Sequence, residues 1–403
     1  MVERALYNIA FSDQWGRQMR FINGPRQVGK TTLAKQKLSQ EKTPNLYYLW
    51  DLRSVRNRYK ENELFFTADK LSGKHKAWLC FDEIHKMPKW KNILKGVYDS
   101  SFEHYNFIIT GSAKLDIARR SGDSLSGRYF SFHLYPLCLR EAGGGDLRLA
   151  VPVSAEAFIK RQLDLTPAKT SALDSLLEYS GFPEPFGSQS NAFHAKWAQD
   201  YLDTVIKEDV SMLTRIANKE DIYDLYNLLP QMAGSIISES SLGAHLEISQ
   251  PTVKSYLKRL EDFYLGFKVH PWTKNIKRAL VKASKFYLYD WTRIEDEGAR
   301  FENYLAVELK TLISLFNDAT GADYGLYFIR NKQKEETDFL ITHAGKPWLM
   351  VEAKLSDAGI SRHHFETQRA LDGVPFVQVC RKRDVCMMQA KNAYRISVDR
   401  FLV

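Results

Sequence analysis

Gly24-Pro25-Arg26-Gln27-Val28-Gly29-Lys30-Thr31 sets two glycines, a lysine and a hydroxyl at the spacing G-x-x-x-x-G-K-[S/T]. Glycine permits the tight backbone path in which successive N–H groups face phosphate oxygens. Lys30 then reaches the β- and γ-phosphates, and Thr31 offers its hydroxyl to Mg²⁺. Gly24 to Thr31, with Thr32 next to it, is the expected nucleotide-binding segment, and ATP with Mg²⁺ the expected cofactor pair. A second pattern suits the same chemistry. The apolar run Trp78-Leu79-Cys80-Phe81 ends in Asp82-Glu83. Asp82 is expected to hold the metal with Thr31, and Glu83 to orient and polarise the attacking water.

These groups need a scaffold of strands that end at one edge. Met19 to Ile22 reads as a strand before the loop and Lys30 to Leu38 as a helix after it, so the phosphates would sit on a helix N-terminus. Leu46 to Trp50, Trp78 to Phe81 and Asn106 to Thr110 read as further buried strands. Strands alternating with helices imply a parallel sheet with its ligand at the carboxyl edge. A polar residue at the tip of the last strand, Thr110 or Ser112, is placed to sense the γ-phosphate; either also reads as a plain strand end. Arg119, Arg120 and Arg128 follow, and an arginine near the phosphates, in cis or from a neighbouring copy, would stabilise transition-state charge. Arg128 is preferred as the catalytic arginine because it opens the strand-like run Tyr129 to Leu134. Its use in trans would make the protein a homo-oligomer.

A second constellation lies near the C-terminus. Asp338-Phe-Leu-Ile-Thr342 and Trp348-Leu-Met-Val-Glu-Ala-Lys354 read as a hairpin turning at His343 to Pro347. Glu352 and Lys354 share one face of a strand because the side-chain period is two. Glu302 opens an apolar helix, where a buried carboxylate needs a partner or a metal. This is the layout of the PD-(D/E)xK nuclease core. Glu302, Asp338 and Glu352 are the expected Mg²⁺ ligands, and Lys354 the catalytic lysine beside the water. Glu308-Leu-Lys310 repeats the short motif on a helix and is read as a decoy, while Gln368 is a further core candidate. The competing reading is a buried ion network on a non-catalytic fold.

Between the two lies a helical middle. Gly143-Gly144-Gly145 reads as a flexible break, and residues 155–229 as a helical lid interrupted by Gly181 to Pro185. Ser241 to Leu260 reads as helix-turn-helix, with Ser249 capping the second helix and Pro251 in its first turn. Val253, Leu257 and Leu260 form its inner face; Thr252, Lys254, Ser255 and Lys258 face outward. Tyr264 to Val269 and Phe286 to Tyr289 would be wing strands, with the basic segment 268–285 between them carrying Lys268, Lys274, Lys277, Arg278, Lys282 and Lys285. That arrangement suits DNA, or else a spacer that makes only protein contacts.

Bulk properties agree. A chain of 403 residues has room for two to four domains. A formal charge of +9 favours a polyanionic partner. The start of the chain lacks a signal-like apolar stretch, and no apolar run is long enough to span a membrane. Cys80, Cys138, Cys380 and Cys386 have no metal or redox spacing and read as reduced packing residues, so the expected location is cytoplasmic.

The segments GPRQVGKTTL, LCFDEIHK, IITGSAKLD and SGRYFSFHLYPLCLREA resemble a large prokaryotic family of predicted AAA+-type ATPases that carry a C-terminal domain of unknown function. The resemblance extends to Gly298 to Asn303, Glu336 to Phe339 and Val351 to Lys354, and implies that Lys30, Thr31, Asp82, Glu83 and Ser112 belong to the nucleotide site. Tyr289-Asp-Trp-Thr-Arg293 departs from the turn usual in such relatives. The expected fold is α/β: a P-loop NTPase parallel sheet (1–142), a helical lid (143–229), a winged helix (230–289) and a restriction-endonuclease-like α/β domain (290–403).

Overall fold

A computed structural model describes residues 2–69, 76–87, 89–111, 125–210, 219–273 and 284–403. Ser112, Arg119 and Arg120 lie outside the described residues, as do Lys274, Lys277, Arg278 and Lys282 of the basic segment. The chain divides into two compact units, Arg4–Tyr135 and Pro136–Val403, the first three residues belonging with the latter.

The first unit is built on five strands: β1 (Met19–Asn23), β2 (Tyr47–Leu49), β3 (Ala77–Asp82), β4 (Tyr105–Thr110) and β5 (Tyr129–His133). Their order is β2-β3-β4-β1-β5, and every pairing is parallel. A parallel sheet covered on both faces needs near-continuous apolar strands, and β1 and β3 are buried at every position. Helices α1 (Ala5–Ala10), α2 (Lys30–Gln40), α3 (Arg53–Glu61) and α4 (Trp90–Ser101) belong to this unit. Phe66, Phe81, Tyr98, Tyr105 and Phe107 form a linked aromatic core around β3 and β4. The register aligns Ile22 and Asp82 on either side of Thr110, so three adjoining strands end together.

In the second unit an eight-stranded sheet runs β12-β13-β11-β10-β9-β8-β6-β7. Its strands are β6 (Gly266–Pro271), β7 (Lys285–Leu288), β8 (Tyr324–Arg330), β9 (Glu336–His343), β10 (Lys346–Lys354), β11 (Phe376–Cys380), β12 (Cys386–Ala390) and β13 (Ala393–Ser397). The β9–β10 hairpin turns on Ala344 and Gly345, both at positive φ (50° and 74°), the backbone of a two-residue turn that follows strand twist. Among the described residues the unit's helices of seven residues or more are α5 (Ala155–Asp164), α6 (Thr170–Tyr179), α7 (Asn191–Thr204), α8 (Glu220–Leu228), α9 (Glu239–His245), α10 (Gln250–Asp262), α11 (Glu297–Thr320) and α12 (Arg362–Ala370).

Two boundaries differ from expectation. Residues of the expected lid pack into the second unit: Phe158 on α5 lies 5.8 Å from the Trp348 ring, and Trp291 Nε1 donates to the Leu176 carbonyl on α6 over 2.8 Å. The expected wing strands do not stand apart either, because β6 pairs antiparallel with β7 on one side and parallel with β8 on the other. Gly143 to Gly145, expected as a flexible break, follows the short helix Leu139–Ala142, with Gly143 as its C-cap and Gly144 exposed. A Cβ at Gly143 would meet the Leu139 carbonyl at 2.9 Å, and the Gly145 N–H donates to the Arg140 carbonyl over 2.9 Å. Three of the four cysteines are buried, whereas Cys386 on the edge strand β12 is exposed. Among the described residues no helix is long and apolar enough to cross a membrane.

Candidate functional site

The phosphate-binding loop leaves β1 and enters α2. Gly24 takes φ +140°, and a Cβ there would lie 1.9 Å from the Leu134 carbonyl oxygen, so glycine is required. Gln27 (φ 58°) and Gly29 (φ 101°) bend the rest of the loop. The buried Lys30 ammonium donates to the Gly24 carbonyl at 2.9 Å and to the Pro25 carbonyl. Behind the loop, Arg4 donates to the Val28 carbonyl over 2.8 Å and to the Tyr135 carbonyl.

Thr31 Oγ1 donates to Asp82 Oδ2 over 2.7 Å, which joins the loop to the end of β3. Tyr47 donates to the same oxygen over 2.5 Å, and Thr110 to Oδ1. Three hydroxyls thus hold a carboxylate that is 3% exposed. Of the two readings for the strand tip, Thr110 is bonded to Asp82, while Ser112 is outside the described residues. Glu83 follows at φ 58°, a sparsely populated backbone for a residue other than glycine. Its N–H donates to the Thr110 carbonyl over 3.1 Å. Its Oε2 is buried, lies 3.4 Å from His85 Nε2, and makes no hydrogen bond among the described residues. Burial pushes the Glu83 carboxyl up, with Lys86 acting against it. A loop of backbone N–H groups, a lysine, a hydroxyl–carboxylate pair and a half-buried second carboxylate fit a nucleoside triphosphate with its Mg²⁺. Thr31 and Asp82 would hold the metal, which would supply charge neutralisation at the phosphates.

Arg128 is not brought to this edge. Its backbone carbonyl accepts from the Met19 N–H over 2.8 Å, at the amino end of β1. The loop lies at the other end of that strand, roughly 13 Å away at about 3.3 Å per residue. The Arg128 guanidinium instead makes a two-point pair with Asp99 on α4, at 2.7 and 2.9 Å. In cis it cannot act as the catalytic arginine.

In the second unit the β9–β10 hairpin does gather Asp338, Glu352 and Lys354. The Asp338 N–H donates to Glu352 Oε2 over 3.1 Å, the Ala353 N–H to Asp338 Oδ2 over 2.9 Å, and Lys354 Nζ to Glu352 Oε1 over 2.7 Å. Glu302, on the first turns of α11, takes Lys285 Nζ at 3.0 Å and the Tyr287 hydroxyl at 2.7 Å on the same oxygen, Oε1. Burial, with Asp338 adding to it, pushes the Glu302 carboxyl up to about 7, against the pull of Lys285. Burial beside Glu352 raises Asp338 as well. Among the described residues no group of three or more His, Cys, Asp or Glu side chains is arranged to hold a metal ion. Each of the expected Mg²⁺ ligands, Glu302, Asp338 and Glu352, accepts at least one hydrogen bond from a lysine or a backbone N–H. Gln368 bonds the Asn392 carbonyl over 3.0 Å and serves the packing of α12.

Within the expected helix-turn-helix, Ser249 caps α10, Val253, Leu257 and Leu260 are buried, Lys254, Ser255 and Lys258 are exposed, and Thr252 is half-buried. Of the lysine and arginine residues of the basic segment only Lys268 and Lys285 are described, and both are less exposed than expected. Lys268 is 3.7 Å from Glu239 with its side chain 11% exposed, and Lys285 is 1% exposed. Sequence reasoning missed Tyr47, Arg4 and Lys285 as site partners. Only Lys285 carried a signal, a lysine heading an apolar strand.

Comparison with known proteins finds two family matches. Residues 16–143 match the AAA domain family, and residues 170–292 match a domain of unknown function, DUF8612. The AAA match, the strand order and the loop together support an AAA+-type nucleotide-binding ATPase. An uncharacterized protein of Methanocaldococcus jannaschii is 25% identical over 371 residues, 88% of this chain and 79% of that protein. One of Mycobacterium tuberculosis is 24% identical over 356 residues, covering 85% and 71%. One of Haemophilus influenzae is 22% identical over 395 residues, covering 90% and 93%. Among solved structures, the Aeropyrum pernix ORC1 protein in complex with DNA is 13% identical, covers 72% of this chain and 86% of its own, and has a TM-score of 0.29.

Proposed function

We propose that this protein is an ATP-hydrolysing switch of AAA+ type whose second unit binds nucleic acid, DNA in the first instance. The observation that supports hydrolysis is the Thr31–Asp82 bond beside Glu83, whose Oε2 is buried: a metal-ligand pair and a base candidate stand at the end of the strand next to the loop. Lys30 would bind phosphate, Glu83 would orient water, and Thr110 or Ser112 would report the γ-phosphate. The transition-state arginine would come from a second copy, which makes the working form an oligomer.

The nucleic-acid reading rests on α10, which presents Lys254, Ser255 and Lys258 to solvent on a chain of formal charge +9. Metal-dependent phosphodiester cleavage at Asp338, Glu352 and Lys354 needs carboxylate oxygens open to a cation, and both Glu352 oxygens are engaged. Binding without cleavage is the reading that geometry favours.

The deciding experiment measures ATP binding and phosphate release for the wild type and Lys30→Ala. Binding should weaken by on the order of 10²-fold, as for loss of one buried charged partner. Retained tight binding would sink the ATPase reading. Charge reversal at Lys254 and Lys258 should remove retardation of duplex DNA; an unchanged shift would exclude α10 as the contact.

A further inference from the structure

The acidic centre of the second unit contains a cation of its own. Lys285 stands at the head of β7, 1% exposed, with its ammonium 3.0 Å from Glu302 Oε1 and paired to Glu336. The ring of Phe328 lies under it, 5.6 Å from nitrogen to centroid. Burial works against this charge, yet Glu302, Asp338 and Glu336 outweigh it and hold the ammonium above its ordinary pKa. A lysine in this setting is a permanent charge rather than a titrating group.

Most of the carboxylate oxygens around it are engaged, although Asp338 Oδ1 and Glu302 Oε2 accept no hydrogen bond among the described residues. Glu302 Oε1 accepts from Lys285 and Tyr287, while its Oε2 faces Gly234, whose hypothetical Cβ would lie 2.7 Å away. Glu352 Oε1 accepts from Lys354, and its Oε2 from the Asp338 N–H. Asp338 Oδ2 accepts from the Ala353 N–H. Mg²⁺ keeps several waters and near-octahedral geometry, so it needs open oxygens and room for a shell. Gly234 closes one side of Glu302, and Lys285 fills the other.

We infer that Lys285 is a built-in cation that takes the place of a divalent metal in this acidic centre and fastens strand β7 to helix α11 and strand β9. The centre is therefore assembled without metal, with Lys285 and Lys354 set against Glu302, Glu336, Asp338 and Glu352. The inference stands apart from the ATPase reading, since it concerns the second unit only.

The test titrates nucleotide-free full-length protein with Mn²⁺ and follows free Mn²⁺ by paramagnetic resonance. Wild type, Asp338→Asn, Lys285→Met and the double variant are compared, and thermal unfolding of the wild type is read in Mg²⁺ and in EDTA. The wild type and Asp338→Asn should give superimposable curves, and EDTA should leave the melting temperature unchanged. Lys285→Met should gain one Mn²⁺ site per chain, lost again in the double variant. A wild-type site that disappears in Asp338→Asn, or a melting temperature lowered by EDTA, overturns the inference. So does a folded Lys285→Met that gains no site. Should Lys285→Met fail to fold, the first two proteins and the EDTA comparison still decide.

Discussion

Asn303 and Leu288 exchange two hydrogen bonds: the Leu288 N–H donates to Asn303 Oδ1 over 2.8 Å, and Asn303 Nδ2 donates to the Leu288 carbonyl over 2.7 Å. A fully buried side-chain amide thus imitates a neighbouring strand and ties β7 to α11. Asn303→Asp keeps the shape but exchanges the donor for an acceptor and a buried charge. Urea unfolding should show a loss of roughly 3 kcal/mol, in the range for an unsatisfied buried group that also carries charge. Unchanged stability would show that the pair does not fasten the strand.

Gly24→Ala puts a methyl group where the Leu134 carbonyl already lies, on a backbone at φ +140°. Either the loop or β5 must move. The variant should lose at least about 3 kcal/mol of stability, the size expected of steric strain at a special backbone position. Binding of a fluorescent ATP analogue should fall with it. Full binding and normal melting would mean that the loop has another resting path.

Glu83→Gln preserves size but removes the carboxylate. Phosphate release should slow by about 10² to 10⁴-fold, the usual contribution of a positioned base, while nucleotide affinity is retained. Loss of affinity and rate together would make Glu83 a binding residue instead.

Glu308 offers a pH test. Its carboxylate is 4% exposed, and burial raises it from 4.5 to about 8, although the Tyr304 hydroxyl and the Leu139 N–H (2.7 Å from Oε1) act the other way. Glu141 adds to the rise and Arg140 opposes it. A raised acid binds its proton more tightly folded than unfolded. Its contribution is therefore largest below about pH 4.5 and is lost as pH climbs toward about 8, at no more than about 1.4 kcal/mol per pH unit. Glu308→Gln keeps an acceptor for the Leu139 N–H, so its stability should decline less than the wild type's over that window. Parallel pH profiles for the two proteins would refute the assignment.

The nucleotide loop could be read from the chain because its determinants are local. Gly24, Gly29, Lys30 and Thr31 fall within one eight-residue loop motif, and the apolar run into Asp82 declares both a buried strand and its end. Helix α10 was legible for the same reason: its cap, its proline and its apolar face follow a 3.6-residue period. The C-terminal constellation was legible only in part. The alternation of side chains along β10 predicts that Glu352 and Lys354 share a face, and the hairpin brings Asp338 beside them.

What became of those carboxylates was decided by the tertiary structure. Lys285 and Glu302 lie on different elements, and Glu336 joins them from a third; only the ladder from β7 through β6 and β8 to β9 brings them to one point. The same holds for Arg128, whose place depends on which end of β5 it occupies. Sequence thus determined the chemistry available at each local motif, through spacing and periodicity. Tertiary structure alone decided which charges neutralise which, because a buried charge takes the nearest opposite charge in space, whatever its distance along the chain.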